Sequence, residues 1–110
     1  GRQLDGAPSS IRALPDVVQA AGSQTEVWLD GGITTGQDIL RAWALGARGV
    51  MIGRAFLYGL GAYGEDGVRR ALEILYKEMD LSMAFTGCRN IEEVTRDILV
   101  KGTYPVPESA

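Results

Sequence analysis

With 110 residues, 45% of them hydrophobic and 23% charged, the chain has the composition of a single globular domain rather than a disordered segment. A net charge of −3, a pI near 4.8 and eleven scattered basic residues leave no electrostatic footprint for nucleic acid, and no apolar run is long enough to span a bilayer. The lone Cys88 excludes an internal disulfide and fits a reducing compartment, and the absence of histidine excludes a Ser-His-Asp triad, an HExxH zinc site or an imidazole base within the chain.

The opening GRQLDGAPSS is rich in glycine and serine and reads as a loop, with Ser9 or Ser10 as a cap and no signal-peptide pattern. Ile11, Leu14, Val17, Val18 and Ala21 follow at helical spacing. Pro15 predicts a short turn ending near Leu14 and a new helix with proline at its first position, stopped by Gly22. Residues 26–30 (EVWLD) predict a short buried strand broken by Gly31 and Gly32. Thr34 or Thr35 is the expected cap of a helix over about 35–45, with Asp38 in its first turn, a packing face of Ile39, Leu40, Ala42, Trp43 and Ala44, and Gly46 as its end. Residues 49–52 (GVMI) predict a second short strand, broken by Gly53 and followed at once by Arg54.

AFLYGLGAYG then predicts a short helix and turn. Residues 65–85 predict the longest helix, striped by Val68, Leu72, Leu75, Met79 and Met83 and ended by Gly87. Asn90 is the expected cap of a last helix over 91–97, and 101–110 is expected to be an irregular, mobile tail.

Short strands without alternation, separated by a helix, imply parallel pairing with both faces buried. Two parallel strands do not make a stable sheet alone, and a (β/α)8 barrel needs about 250 residues. The expectation is therefore an α/β chain that is the C-terminal portion of a TIM barrel, its last two βα units plus C-terminal helices, and the abrupt Gly1 fits that reading.

In such barrels the last two strand ends often hold phosphate. Asp30-Gly31-Gly32 closes one strand and Gly53-Arg54 the next. Glycines let backbone N–H groups approach phosphate oxygens, arginine adds a fixed forked cation, and the following helix offers free N–H groups. Either turn alone is ordinary loop chemistry; the ordered pair points to a phosphate or a phosphorylated cofactor.

Three stretches, GRQLDG, LDGGITTGQDILRAWALGARGVMIGRAFLYGL and TGC, resemble the C-terminal end of the FMN-dependent α-hydroxy-acid dehydrogenases and oxidases. The resemblance weakens after about residue 100 and is closest to the bacterial L-lactate dehydrogenase branch. It implies an FMN-carrying TIM barrel that oxidises a small L-2-hydroxy acid, L-lactate first, to the 2-oxo acid. The family motif His-Gly-Gly-Arg-Gln-Leu-Asp aligns its last glycine with Gly1 and its arginine with Arg2, which implies that Arg2 clamps the substrate carboxylate and that the base stands two residues before Gly1. Asp5 takes a loop or cap contact by the same resemblance. Asp30 corresponds to the acid beside the flavin ribityl chain, and Gly31, Gly32, Gly53 and Arg54 to the FMN phosphate site.

Thr34 stands where the family usually has arginine; it brings a hydroxyl but no charge, so weaker FMN binding is expected. Arg41 and Arg48 are spaced poorly to compensate. The resemblance also implies a tetramer, the N-terminal remainder of the barrel as partner, and a cytoplasmic site or one peripheral to the inner membrane face. Trp28, Trp43, Tyr58 and Tyr63 are expected to pack rather than touch flavin, and Cys88 to be inert. A type 2 isopentenyl-diphosphate isomerase or inosine-monophosphate-dehydrogenase relative shares DGG…GR without the Arg-Gln-Leu-Asp opening. The remaining reading is a non-catalytic half-barrel, and the isolated 110-residue chain is expected to show no turnover.

Overall fold

The computed structural model describes residues 1–108. Helix α1 (Ser10–Ala21) leads to strand β1 (Trp28–Asp30), helix α2 (Gly36–Ala44), strand β2 (Gly49–Met51) and the long helix α3 (Arg54–Phe85). The strands pair in parallel with Trp28 against Gly49, Leu29 against Val50 and Asp30 against Met51.

α1 runs unbroken through Pro15, contrary to the expected break. Proline deprives the Ile11 carbonyl of its partner, but Leu14 and Pro15 both lie buried, and that packing holds one continuous helix. Ser9 is the N-cap without a side-chain bond; Ser10 Oγ instead donates to the Gly31 carbonyl at 3.3 Å.

α2 begins with a capping box. Thr35 Oγ1 accepts from the Asp38 N–H at 3.2 Å, and Asp38 Oδ2 accepts from the Thr35 N–H at 3.1 Å. Asp38 Oδ2 also accepts the Thr34 N–H and hydroxyl, and Oδ1 pairs with Arg41 at 2.8 Å. Partial burial raises the Asp38 pKa, but these donors together hold it below the usual aspartate range. A carboxylate depressed in the fold stabilises above its unfolded pKa of about 3.9 and loses that contribution as pH falls through the lower folded value. Asp38→Ala is therefore expected to lower stability by about 1 kcal/mol near neutral pH. Its unfolding midpoint should fall less than the parent's on titration to about pH 3; equal slopes in the two proteins would contradict the assigned role. α2 ends in a Schellman motif at Gly46 (φ 108°), with the Ala47 N–H on the Ala42 carbonyl.

α3 is two helical runs joined at a kink, Tyr63 (φ −143°) and Gly64 (φ 62°), as the short-helix-and-turn expectation required. The runs touch backbone to backbone at Gly59 and Gly67, where a Cβ on either would overlap the other's carbonyl. The expected last helix over 91–97 is instead two 3₁₀ turns, Ile91–Glu93 and Arg96–Ile98. Val94 between them is extended and buried, and Thr95 is extended and caps the second turn, so burying the β-branched Val94 interrupts the helix. Asn90 caps the first turn as expected, accepting from Glu93 N–H at 3.2 Å. Residues 101–108 form no helix or strand; the rest of the expected tail, 109–110, lies outside the described residues.

Leu14, Val27, Leu29, Ile33, Ala42, Leu45 and Ala47 form one core between α1, β1 and α2. Leu40, Ala44 and Val94 form a second, on which Met79 and Met83 pack. Helices cover only the Leu29/Val50 face of the sheet. The other face leaves Trp28 59% and Met51 56% exposed, so the described residues supply cover for one side of the strands and not for both. Among the described residues, nothing lies opposite that face. Tyr58 and Tyr63 are likewise exposed, because the first run of α3 has no neighbour on that side among the described residues, and Leu72 of the predicted stripe is exposed while Leu75 is buried. The radius of gyration, 15.1 Å, exceeds the roughly 13 Å of a compact chain of this length.

Candidate functional site

The parallel register places Asp30 beside Met51, so Gly31-Gly32 and Ile52-Gly53-Arg54 leave the same edge of the sheet, from strands about 4.8 Å apart. Gly31 (φ 100°) and Gly32 (φ 76°) hold left-handed backbone that a side chain would strain. A Cβ at Gly32 or Gly53 would meet nothing within 4 Å, so the space beside both backbones is open. Arg54 is the first residue of α3, exposed, and its guanidinium has no partner among the described residues. The N–H groups of that first turn are free of intrahelical partners. The Asp30 carboxylate is exposed and accepts no bond among the described residues. The edge thus offers a carboxylate, glycine amides, helix amides and a cation side by side.

Not every predicted residue joins it. Arg2 is exposed and reaches no partner among the described residues. Asp5 makes no loop or cap bond among the described residues, since the opening loop has no neighbour to bond. Thr34 adjoins the turn, but its hydroxyl donates to Asp38 Oδ2 at 3.2 Å and is committed to the helix cap. Arg48 lies at the opposite end of β2 and stacks over Trp43 at 4.6 Å.

Two residues at this edge, Ser10 and Tyr104, carry no sequence signal for it, and a third, Arg41, lies there although its spacing spoke against the site. Ser10 tethers Gly31, as described. Arg41 borders a cavity of about 300 Å³ on the α1 side of the Gly31-Gly32 turn, along with Ser9, Ser10 and Tyr104. Its three-residue spacing from Asp38 was a readable sign of the ion pair, though not of the cavity. Tyr104 arrives from the irregular C-terminal segment, 71 residues beyond Ile33.

An α/β segment with a glycine-lined, cationic strand edge is the class that fold and site define together. The chain belongs to the family described as FMN-dependent dehydrogenase, which it matches over residues 1–101. It is 53% identical over 100 residues to an L-lactate dehydrogenase of Azorhizobium caulinodans, covering 91% of this chain and 26% of that protein. It is 48% identical over 99 residues to mouse 2-hydroxyacid oxidase 2, covering 90% of this chain and 28% of the relative. Its fold superposes on a soluble mutant of the membrane-associated (S)-mandelate dehydrogenase from Pseudomonas putida with a TM-score of 0.80 and 41% identity, over 86% of this chain and 27% of that one. The chain therefore spans about a quarter of the length of these relatives. Among the described residues, no helix is long and apolar enough to cross a membrane.

Proposed function

We propose that the chain is the C-terminal part of an FMN-binding TIM barrel that oxidises a small L-2-hydroxy acid, L-lactate in the first instance, to its 2-oxo acid. The observation that carries this reading is the register, which brings Asp30-Gly31-Gly32 and Gly53-Arg54 to one edge. The donor set suits FMN. Glycine amides, the α3 N-terminus and Arg54 match a phosphate dianion. The unpartnered Asp30 carboxylate beside them can accept hydrogen bonds from ribityl hydroxyls.

Thr34 stays in this cofactor set as a neighbour of the turn, contributing a lone pair and no charge, so Arg54 carries the charge neutralisation. Arg2 binds the substrate carboxylate through two parallel hydrogen bonds and orients the Cα–H. The base that removes the hydroxyl proton lies outside this chain. FMN, when bound, supplies the two-electron acceptor. The exposed sheet face and the exposed side of α3 receive the remaining barrel units. A tetramer, and a cytoplasmic or membrane-peripheral location, belong to the same reading.

A chimaera tests it: this chain joined to the preceding part of the Azorhizobium enzyme in place of its matching segment. The expected product is a yellow protein whose flavin is bleached anaerobically by L-lactate. A colourless, folded chimaera refutes the cofactor site. A yellow one bleached by mandelate or glycolate but not lactate refutes only the choice of substrate. The 110-residue chain alone is expected to show no turnover.

A further inference from the structure

The Gly31-Gly32 turn has no side chain with which to anchor itself, so its position depends on what packs around it. Its two shoulders, Leu29 and Ile33, are buried at 3% and 6% exposure in the first core. Tyr104 packs against that core and borders the cavity behind the turn. It is half-buried, while Val100 and Val106 on either side are 79% and 77% exposed. The segment that delivers it has no regular structure, yet it is tied down. Arg96 donates to the Pro105 carbonyl at 3.0 Å, and the Gln19 amide, from α1, donates to the Glu108 carbonyl at 2.8 Å. The Tyr104 hydroxyl makes no hydrogen bond among the described residues, so its ring is the working part.

We propose that residues 99–108 form a strap whose Tyr104 ring positions the Gly31-Gly32 turn for the phosphorylated cofactor. This rests on the FMN reading above. Tyr104 touches no cofactor in it; it is a positioning residue that acts through Leu29 and Ile33. A turn free to shift by about 1 Å presents its amides poorly.

The test measures FMN dissociation constants by flavin fluorescence, and the visible circular dichroism of bound flavin, in the flavin-binding chimaera. Tyr104→Ala is expected to weaken FMN about tenfold and to alter the dichroic band, whereas Tyr104→Phe keeps both. Arg96→Ala, which frees the strap without touching the core, weakens FMN in the same direction by about two- to threefold. It carries the test if Tyr104→Ala fails to fold. A Tyr104→Ala protein that melts lower yet binds FMN like its parent well below its melting point overturns the strap, as does unchanged affinity in Arg96→Ala. A parent chimaera that binds no FMN overturns the cofactor reading and the strap with it, whereas a flavin-binding parent with indifferent variants overturns the strap alone.

Discussion

Replacing Gly36 by alanine is expected to undock α2 from α3 and to lower stability by about 3 kcal/mol. The added Cβ would overlap the Met79 backbone nitrogen and stand 2.5 Å from the Leu75 carbonyl oxygen and 2.6 Å from the Glu78 carbonyl carbon. These are helix backbone atoms, which cannot rotate away as a flexible side-chain tip does. Parting the helices also strains the bond from the Gly36 N–H to Glu78 Oε2, now 2.8 Å long. Gly61→Ala supplies the contrast. Its Cβ would meet nothing within 4 Å, and alanine in a helix is favoured over glycine by about 0.5–1 kcal/mol. Urea unfolding followed by circular dichroism separates the two, with midpoints moving in opposite directions. A Gly36→Ala midpoint equal to the parent's would contradict the close docking.

Arg54→Ala is expected to raise the FMN dissociation constant of the chimaera about ten- to a hundredfold, as loss of a charge-assisted hydrogen bond worth about 1.5–3 kcal/mol requires. The apo fold should be unaffected, since Arg54 is exposed and has no partner among the described residues. Arg54→Lys should recover part of the affinity, because the charge remains and the forked geometry is lost. Arg41→Ala should act differently. Its guanidinium is paired with Asp38 at 2.8 Å, so removing it weakens the α2 cap more than it weakens flavin binding. Equal affinity losses in Arg54→Ala and Arg41→Ala, read by fluorescence titration, would refute the assignment of Arg54 as the phosphate cation.

Much of this was legible in the chain itself. Gly46 and Gly87 punctuate helices by left-handed backbone, Asn90 and Thr35 cap where short polar side chains can reach an N–H, and DGG and GR close apolar runs. These are local effects, set by residues within a turn of one another. Pro15 and the 91–97 segment depart from local propensity for the converse reason. Pro15 stays helical because a buried contact outweighs one lost backbone bond, and Val94 breaks a helix because a neighbouring core takes its side chain. Propensity alone contains neither contact.

The site divides the same way. The residue types of the glycine-and-arginine strand edge, their order and the family to which the chain belongs are properties of the sequence, since glycine, arginine and carboxylate chemistry travels with the residues. Three matters needed the fold. The parallel register puts Asp30 beside Met51 and so makes two separate turns one edge; Asp38 claims the Thr34 hydroxyl; and Tyr104 returns to stand behind Gly31-Gly32. Each is a meeting of groups whose packing energy depends on distance through space. Spacing along the chain does not determine that distance.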